Sequence, residues 1–399
     1  MNDGRDLLTT AQAAARLGVK PETVYAYVSR GMLTSTRLPG VRGSMFDVDE
    51  VESLAGRDTA RRTDIGAVER IRTRTTLLDH DTLYYRGRDA VELSSRTFES
   101  IAQFIWTGDL DDDVQFTADP VVVQRCQGAI ALMAPDCRSI DRIRIAVDIA
   151  ATYRPMRFDI GAKSVIVEAG HLLATIGASL GASSTEQSVA KLIWDGLQSE
   201  TSDSRGLVIL QAGLNLMADH GLAASTLAVR VAASTRAHLY SVLSAGLGCI
   251  DGPLHGSAAE PAYRFLMAAR EDPIAALAQQ LRSGTRVPGF GHVIYTDRDP
   301  RAEELLRLLR DPALGADPAV IAASDVVIEE MSDRFDTFPN SDFALATFTC
   351  AYGLRPDAPE AIFAIARIVG WTAHALEEYD EEPLRFRVPG IYTGIRPVS

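Results

Sequence analysis

Residues 287–302 have the sequence VPGFGHVIYTDRDPRA. The glycines and proline at the start predict a backbone turn that leads to one imidazole, His292. Further along, Asp-Pro-Arg places a guanidinium, Arg301, at the predicted start of a helix that continues through Leu309. Pro300 suits a first helical turn, because its φ is already fixed and its missing amide would have no partner there. The stretch therefore places a candidate acid or base and a candidate anion-binding group on one loop.

This loop does not match a dinucleotide-binding fingerprint. Gly289-Phe290-Gly291 lacks the third glycine of that motif, because Ile294 occupies the required position. By itself the stretch is equally consistent with a glycine-rich connector that carries a solvated arginine. Its interpretation therefore depends on the rest of the chain.

The composition is typical of a soluble globular protein from a reducing compartment. The chain has 399 residues, 46% hydrophobic and 23% charged, which allows two or three domains. Its formal net charge of −13 argues against coating nucleic acids and predicts repulsion from anionic membranes. The four cysteines form no C-x-x-C pair, and no run of 18 apolar residues occurs. We therefore expect a cytoplasmic protein without a metal or a membrane partner.

Residues 7–56 have a pattern of their own. Cap and stop signals at Thr9, Gly18 and Pro21 predict two short helices separated by a tight turn. The predicted elements are helices over 11–17 and 21–29, extended pieces over 33–38 and 44–48 joined by a Pro-Gly turn, and a further helical run from 49. The segments AARLGV, TVY and RGML give this region a resemblance to the winged helix-turn-helix of excisionase and MerR-type regulators.

DNA binding is one interpretation of this module, and a helical hairpin for packing or dimer contacts is the other. Residues 1–62 contain nine basic and eight acidic side chains, a net charge of +1. Because DNA affinity comes largely from phosphate neutralisation, this charge is a weak indication of DNA binding. We expect an interaction or regulatory appendage over 1–62 that ends in a polar linker at 57–66. DNA is a possible partner but not the favoured one.

From about residue 67 onward, helical periodicity dominates. Apolar residues recur at three- and four-residue spacing over 98–106, 141–151, 165–176, 207–217 and 226–247. Thr75–Tyr85 predicts a short hairpin. Because strands and helices do not alternate regularly, the fold class is predicted to be mostly α.

Further stretches place histidine, aspartate and arginine on predicted loops or helix ends, where side chains can point into a cleft. They are ADH at 218–220 with AST at 224–226, GPLHG at 252–256 and NSDF at 340–343. Other motifs of this kind are PGFGH at 288–292, DPRA at 299–302, FAIAR and GWTAH within 363–374, and Arg387 followed by YTG at 392–394. Taken in their order along the chain, these motifs give the region from about residue 67 to the C-terminus a resemblance to the citrate synthase family.

The resemblance implies a citrate synthase-like helical fold with a large and a small domain, an active site in the cleft between them, and a homodimer. The implied boundaries are 1–62 for the helix-turn-helix module and linker, 63–257 for the first part of the large domain, 258–357 for the small domain, and 358–399 for the C-terminal part of the large domain. Arg387 would be lent to the partner's site.

The resemblance also assigns roles by position. Asp342 would remove a proton from the acyl thioester, His255 would hydrogen-bond the enol, and His292 would polarise the oxaloacetate carbonyl and protonate the alkoxide. The oxaloacetate carboxylates would be held by His220, Arg301, Arg367 and Arg387. These residue types suit the chemistry, since a weakly acidic thioester needs a base and placed donors, and guanidinium groups match carboxylates. No cofactor is expected, because the CoA thioester is a substrate.

CoA is expected near Gly289, Phe290 and Gly291. Thr296 stands where the family tends to place a basic residue toward the CoA phosphates, and Arg298 can replace it. His80, His171, His238 and His374 are expected to be structural.

The function that the resemblance implies is a citrate synthase-type acyltransferase that condenses acetyl-CoA with oxaloacetate and water to give citrate and CoA, with propionyl-CoA as the alternative acyl donor. Acetyl-CoA would give citrate and propionyl-CoA would give 2-methylcitrate, and one methylene changes binding by only about 1–3 kcal/mol. The alternative of another class is a DNA-binding regulator with a synthase-like sensor body. Asp342 argues against it, because a sensor would need no base.

Overall fold

A computed structural model describes residues 7–37, 43–48, 50–51, 54, 71–182, 185–198, 204–252, 255–256 and 259–387. The chain divides into two compact units, residues 1–69 with 387–399 and residues 70–386. The predicted linker at 57–66, the Pro-Gly turn at 39–40 and the YTG segment at 392–394 lie outside the described residues.

The N-terminal unit contains short helices and a small antiparallel sheet. Its elements are β1 (Leu7–Thr9), α1 (Thr10–Leu17), α2 (Pro21–Ser29), β2 (Ser35–Thr36) and β3 (Met45–Asp47), with strand order β1-β3-β2. Thr9 and Gln12 form a capping box on α1, and Gly18 ends it with a φ of 65°. Both helices form where they were predicted, whereas β1 was not predicted. The predicted helical run from 49 lies partly outside the described residues.

The second unit begins with the predicted hairpin. Strands β4 (Thr76–Asp79) and β5 (Thr82–Tyr85) pair antiparallel, and a short β6 (Arg88–Asp89) adds to β5. His80 and Asp81 at the tip have φ of 46° and 54°. This left-handed turn is uncommon for residues other than glycine, and aspartate is one of the residues that tolerate it.

Helices form the remainder of this unit, as the periodicity predicted. They are α3 (Ala90–Leu93), α4 (Phe98–Thr107), α5 (Pro120–Ile130), α6 (Ser139–Thr152), α7 (Ala162–Ser179), α8 (Val189–Leu197), α9 (Leu207–Met217), α10 (Ala224–Ser234), α11 (Leu239–Ile250), α12 (Ala259–Glu271), α13 (Pro273–Arg282), α14 (Pro300–Leu309), α15 (Pro318–Phe335), α16 (Ser341–Ala351) and α17 (Ala358–Tyr379). Among the described residues, no helix is long and apolar enough to cross a membrane.

The prediction of one helical run over 226–247 was wrong. The structure has α10 and α11 here, with a break at residues 235–238. Arg236 takes a left-handed φ of 64°, and the His238 side chain accepts a hydrogen bond from the Ser241 amide to cap α11. The apolar periodicity continues across this break, so the spacing of apolar residues alone gave no sign of it.

Helix α17 lies in the centre of the main hydrophobic core and is buried along most of its length. It carries polar groups into that core, among them Arg367, His374 and Glu378. Buried charges need partners, so α17 imposes constraints on the helices around it. A second, smaller core contains Phe265 and Phe343 and lies within the segment predicted as the small domain. The domain boundaries themselves stay a prediction.

Candidate active site

The glycine-rich loop is fastened to the start of α16. Gly289 has a φ of 85°, and a Cβ added there would lie 2.7 Å from the Cβ of Phe343, so only glycine fits. The Gly291 amide donates to the Phe338 carbonyl (2.8 Å), and the Asn340 side chain donates to the Gly291 carbonyl (2.9 Å). These contacts place His292 next to the first turn of α16. The predicted CoA contact of residues 289–291 stays a prediction.

The proton position on His292 is set by the backbone. Its Nδ1 accepts hydrogen bonds from the amides of Ile294 (3.1 Å) and Tyr295 (3.2 Å). A ring nitrogen that accepts carries no proton, so the proton of the neutral imidazole is on Nε2. Burial, reinforced by the positive charge of Arg301, lowers the pKa of His292. His292 is therefore a neutral hydrogen-bond donor.

Arg301 occupies a buried ion pair that the sequence did not reveal. Its Nε and Nη2 donate to the carboxylate of Asp299 at 2.9 and 2.8 Å. Burial opposes the charge, but the carboxylate of Asp299 more than compensates and raises the pKa of Arg301. Asp299 also caps α14 and accepts from the Ser341 amide at 3.0 Å. An aspartate directly before a proline at a helix start was the signal that could have identified this residue.

Asp342 lies in the first turn of α16, where the Asn340 side chain accepts hydrogen bonds from the Asp342 and Phe343 amides. Burial raises its pKa to about 6, although the positive charge of Arg301 acts in the opposite direction. The carboxylate is ionised at neutral pH yet more basic than an ordinary aspartate. Such a group is suited to general base catalysis.

His220 is coupled to His292 through Tyr295, a residue the sequence analysis did not single out. The Tyr295 hydroxyl lies 3.0 Å from His220 Nε2, and the two imidazole rings are 5.2 Å apart between centroids. Burial, with the nearby positive charges of Arg301 and Arg367, holds the pKa of His220 well below its usual range. His220 is therefore neutral.

Arg367 is buried in α17 with incomplete hydrogen bonding. Its Nε donates to the Met217 carbonyl (3.1 Å) and its guanidinium lies 4.6 Å from the centroid of the Phe363 ring, but its buried Nη2 has no hydrogen-bond partner. Burial lowers the pKa of Arg367. A desolvated donor without a partner is costly, so this position is suited to an incoming anion.

His255 lies on the other side of Phe363, with ring centroids 6.0 Å apart. Its Nε2 is 2.7 Å from the Ser225 hydroxyl, which belongs to the AST motif quoted above but had no predicted role. Burial and the charge of Arg367 lower the pKa of His255. The imidazole is thus neutral and fixed at one nitrogen.

Asp219, His374 and Arg230 form a buried polar network behind the site. Asp219 accepts from Thr76 (2.5 Å) and lies 3.3 Å from His374. Its burial opposes ionisation, but the charges of His374 and Arg367 bring its pKa down to about 2. His374 also contacts Arg230, which is completely buried and pairs with Glu378 on α17. These contacts hold His374 inside the network, and its structural role stays a prediction.

Asp81 at the hairpin tip binds the backbone of the loop between His292 and Arg301. Its carboxylate accepts the backbone amides of Thr296 (2.9 Å), Asp297 (2.6 Å) and Arg298 (3.3 Å). These hydrogen bonds, led by the one from Asp297, lower its pKa. The loop between His292 and Arg301 is thereby held by a residue about 200 positions earlier, which sequence spacing could not indicate.

The structure thus brings most of the predicted site residues together in the second unit. His220, His292 and Arg301 surround Tyr295, and Arg367 and His255 share Phe363. Arg298 is exposed and pairs with Glu303 (2.7 Å). Arg387 belongs to the other unit. Within the described part of the chain, no group of three His, Cys, Asp or Glu could hold a metal.

Neutral histidines, two buried arginines and a basic carboxylate are groups suited to acid–base chemistry on an anionic ligand. Residues 65–391 match the family described as citrate synthase, C-terminal domain. The chain therefore belongs to the citrate synthase family, whose members are transferases of the EC 2.3.3 type.

Relatives within the family carry two different names. Citrate synthase of Haloferax volcanii is 38% identical over 192 residues, 45% of this chain and 48% of the relative. The chain thus matches about half the length of that relative. 2-Methylcitrate synthase 2 of Corynebacterium glutamicum is 28% identical over 351 residues, 80% of this chain and 88% of the relative.

Solved structures share the fold. Citrate synthase of Pyrobaculum aerophilum superposes with a TM-score of 0.69 at 23% identity, covering 83% of this chain and 92% of that one. Citrate synthase of Thermoplasma acidophilum, solved as a ternary complex with carboxymethyl coenzyme A and oxaloacetate, has a TM-score of 0.68 at 22% identity, covering 83% of this chain and 96% of that one. The mostly helical citrate synthase fold is therefore confirmed for this chain.

Proposed function

We propose that the protein condenses an acyl-CoA with oxaloacetate and water to give citrate, or its 2-methyl homologue, and CoA. The observation that carries the proposal is the buried Nη2 of Arg367, which lacks a partner and lies in a cluster with Arg301 and neutral histidines. Two guanidinium groups suit a dicarboxylate, and the basic carboxylate of Asp342 suits removal of a carbon-bound proton. Family membership and the oxaloacetate in the Thermoplasma acidophilum complex support the same substrate.

In the proposed reaction Asp342 takes a proton from the carbon next to the thioester carbonyl, and the electron pair moves onto the thioester oxygen. His255 hydrogen-bonds that oxygen. Because the Ser225 hydroxyl can donate to Nε2 of His255, the proton on Nδ1 is left for this contact. Such donors contribute roughly a hundred- to a thousandfold each in comparable enzymes.

The new carbon–carbon bond forms when the enol carbon attacks the oxaloacetate carbonyl. His292, with its proton on Nε2, donates to the carbonyl oxygen and protonates the alkoxide. Water then hydrolyses the thioester, which releases CoA and leaves a carboxylate. His220, Arg301 and Arg367 hold the oxaloacetate carboxylates. No bound cofactor takes part in this scheme, and CoA lies along residues 289–291 with Arg298 toward its phosphates.

The deciding experiment measures thiol release by the purified protein with acetyl-CoA and with propionyl-CoA, each with and without oxaloacetate. We expect release that depends on oxaloacetate, with citrate or 2-methylcitrate identified by mass spectrometry. The ratio of kcat/KM for the two thioesters assigns the donor, for which acetyl-CoA is our choice. No oxaloacetate-dependent release with either thioester would reject the proposed function.

We also propose a homodimer in which Arg387 completes the partner's site, since Arg387 lies outside the unit that holds the other residues. Arg387→Leu and Asp342→Asn subunits should each be inactive. When they are mixed, unfolded and refolded together, some dimers would contain one intact site, and activity should return. Refolded mixtures that stay inactive would show that Arg387 does not act across an interface.

The N-terminal unit is proposed to be a winged helix-turn-helix module that serves as an interaction or regulatory appendage. Helices α1 and α2, three residues apart, and the sheet of β1 to β3 support the assignment. Exposed candidates for a nucleic acid contact include Lys20, Glu22 and Arg30, and Glu22 would repel phosphate.

Deletion of residues 1–62 should therefore leave condensation measurable, because the family match begins at residue 65. The intact protein should show no sequence-selective DNA binding at physiological salt. A footprinting screen against the DNA upstream of its own gene checks this second expectation. A discrete footprint that resists salt would contradict it and identify a DNA-binding enzyme.

A further inference from the structure

Tyr295 has no assigned role, yet it contacts three of the side chains proposed to bind or activate oxaloacetate. It is 4% exposed. Its ring centroid lies 4.8 Å from that of His292, 5.3 Å from that of His220 and 5.2 Å from the guanidinium carbon of Arg301. Its backbone amide donates to His292 and its hydroxyl lies 3.0 Å from Nε2 of His220. Tyr295 therefore contacts the imidazoles of His220 and His292 and the guanidinium of Arg301.

The direction of the hydroxyl contact follows from the chemistry of the two groups. A phenolic oxygen shares its lone pair with the ring, which makes it a better donor than acceptor, whereas an unprotonated imidazole nitrogen is a strong acceptor. Burial raises the pKa of Tyr295 to about 12, so its hydroxyl keeps its proton. The hydroxyl thus donates to Nε2 of His220, and the proton of neutral His220 is on Nδ1.

The two histidines therefore carry their protons on opposite nitrogens. His292 accepts the Tyr295 amide at Nδ1 and presents Nε2–H, while His220 accepts the Tyr295 hydroxyl at Nε2 and presents Nδ1–H. Arg301 is fixed by the Asp299 carboxylate at Nε and Nη2 and by the Tyr295 ring over its face. A cation–π contact of this kind restrains the plane of the guanidinium.

We propose that Tyr295 is a positioning residue whose hydroxyl sets the proton position on His220 and whose ring sets the plane of Arg301, and that it thereby determines affinity for the dicarboxylic oxo acid. The expected effect on the KM for oxaloacetate rests on the proposed function. The expected proton position on His220 does not. The acyl thioester should be affected little, because Tyr295 acts through the groups assigned to oxaloacetate.

Two substitutions separate the parts played by the hydroxyl and the ring. Tyr295→Phe removes the hydrogen bond to His220 and keeps the ring over Arg301. Its KM for oxaloacetate should rise about two- to tenfold, the usual effect of one lost hydrogen bond, with KM for the thioester unchanged. Tyr295→Leu also removes the ring and should raise the KM for oxaloacetate about tenfold further. Tyr379→Phe is the matched control, because its buried hydroxyl donates to the Ala237 carbonyl instead, and it should leave both KM values unchanged.

Nitrogen NMR of protein with ¹⁵N-labelled histidine tests the structural part without any turnover. His220 signals are identified by their loss in His220→Gln protein. In the wild type we expect Nε2 of His220 to be unprotonated, and in Tyr295→Phe we expect this preference to weaken while His292, held by the backbone, is unchanged.

The outcomes separate this inference from the proposed function. Protonated Nε2 on His220 in the wild type, or an unchanged His220 spectrum in Tyr295→Phe, would overturn the inference. So would equal KM values for oxaloacetate in the wild type and Tyr295→Phe when the wild type is active. Wild-type protein without condensation activity would reject the proposed function, and the NMR result would still decide the role of Tyr295.

Discussion

Asp342→Asn should abolish condensation while oxaloacetate still binds. The amide keeps the shape of the side chain and its place in the first turn of α16, but it cannot accept the proton of the thioester. The oxaloacetate-binding groups lie on other residues, so oxaloacetate should still raise the melting temperature of the variant. Steady-state kinetics and thermal unfolding with and without oxaloacetate check both parts. Near-wild-type turnover would remove Asp342 from the role of base.

The same residue gives the enzyme a pH dependence. Burial raises the pKa of Asp342 to about 6, so the carboxyl becomes protonated, and inactive as a base, as the pH falls through that value. Wild-type kcat/KM for the thioester should therefore decline below about pH 6. The raised pKa also means that the ionised form is disfavoured in the folded state. At pH 8 the Asn variant should therefore unfold at a temperature no lower than that of the wild type.

Arg367→Leu should have the second largest effect and act on oxaloacetate. Removing one partner of a desolvated ion pair costs about 2–5 kcal/mol, so kcat/KM for oxaloacetate should fall by the corresponding factor. Without ligand, Arg367 has a buried Nη2 without a hydrogen-bond partner, while its Nε donates to the Met217 carbonyl. The substitution removes one costly donor together with one hydrogen bond, so the melting temperature should change only moderately. Oxaloacetate should stabilise the wild type and leave the variant unaffected.

Arg310→Leu is the control for this substitution. It removes a guanidinium of the same size whose partner, Asp325, is 2.7 Å away in an exposed ion pair. Exposed pairs contribute little, so neither kinetics nor stability should change much. An Arg367→Leu protein with wild-type use of oxaloacetate would show that Arg367 does not hold the substrate. Arg301→Leu is a less clean test, because it would leave the buried carboxylate of Asp299 without its cation.

The buried network of Asp219, His374 and Arg230 explains how α17 can carry polar and charged side chains through the hydrophobic core. Arg230 is completely buried, yet it pairs with Glu378 and contacts His374. His374 in turn faces Asp219, and a Cβ at Gly370 would lie 2.2 Å from Oδ1 of Asp219. Close approach at Gly370 thus allows α17 to contact the segment that carries Asp219 and His220.

The sequence by itself determined the helical class, the hairpin and most of the residues that meet in the site. Helix starts with strong cap signals were placed correctly, as at Pro300, because capping is a local interaction between residues near in sequence. The histidines, arginines and Asp342 were predicted as site residues because their motifs occur in one order along the chain, and their roles stay a prediction. The break between α10 and α11 was missed, since the apolar spacing continues across it.

Only the tertiary structure decided which charged groups are paired and which keep a donor without a partner. Asp299 forms an ion pair with Arg301, whereas Arg367 has a buried donor without a hydrogen-bond partner. The sequence does not distinguish the two arginines in this respect. Asp81 and Tyr295 were overlooked because their contacts join segments distant along the chain or depend on where a loop folds back. Burial raises the pKa of Asp342, and it depends on neighbours from many elements. No single stretch of sequence can therefore predict this pKa.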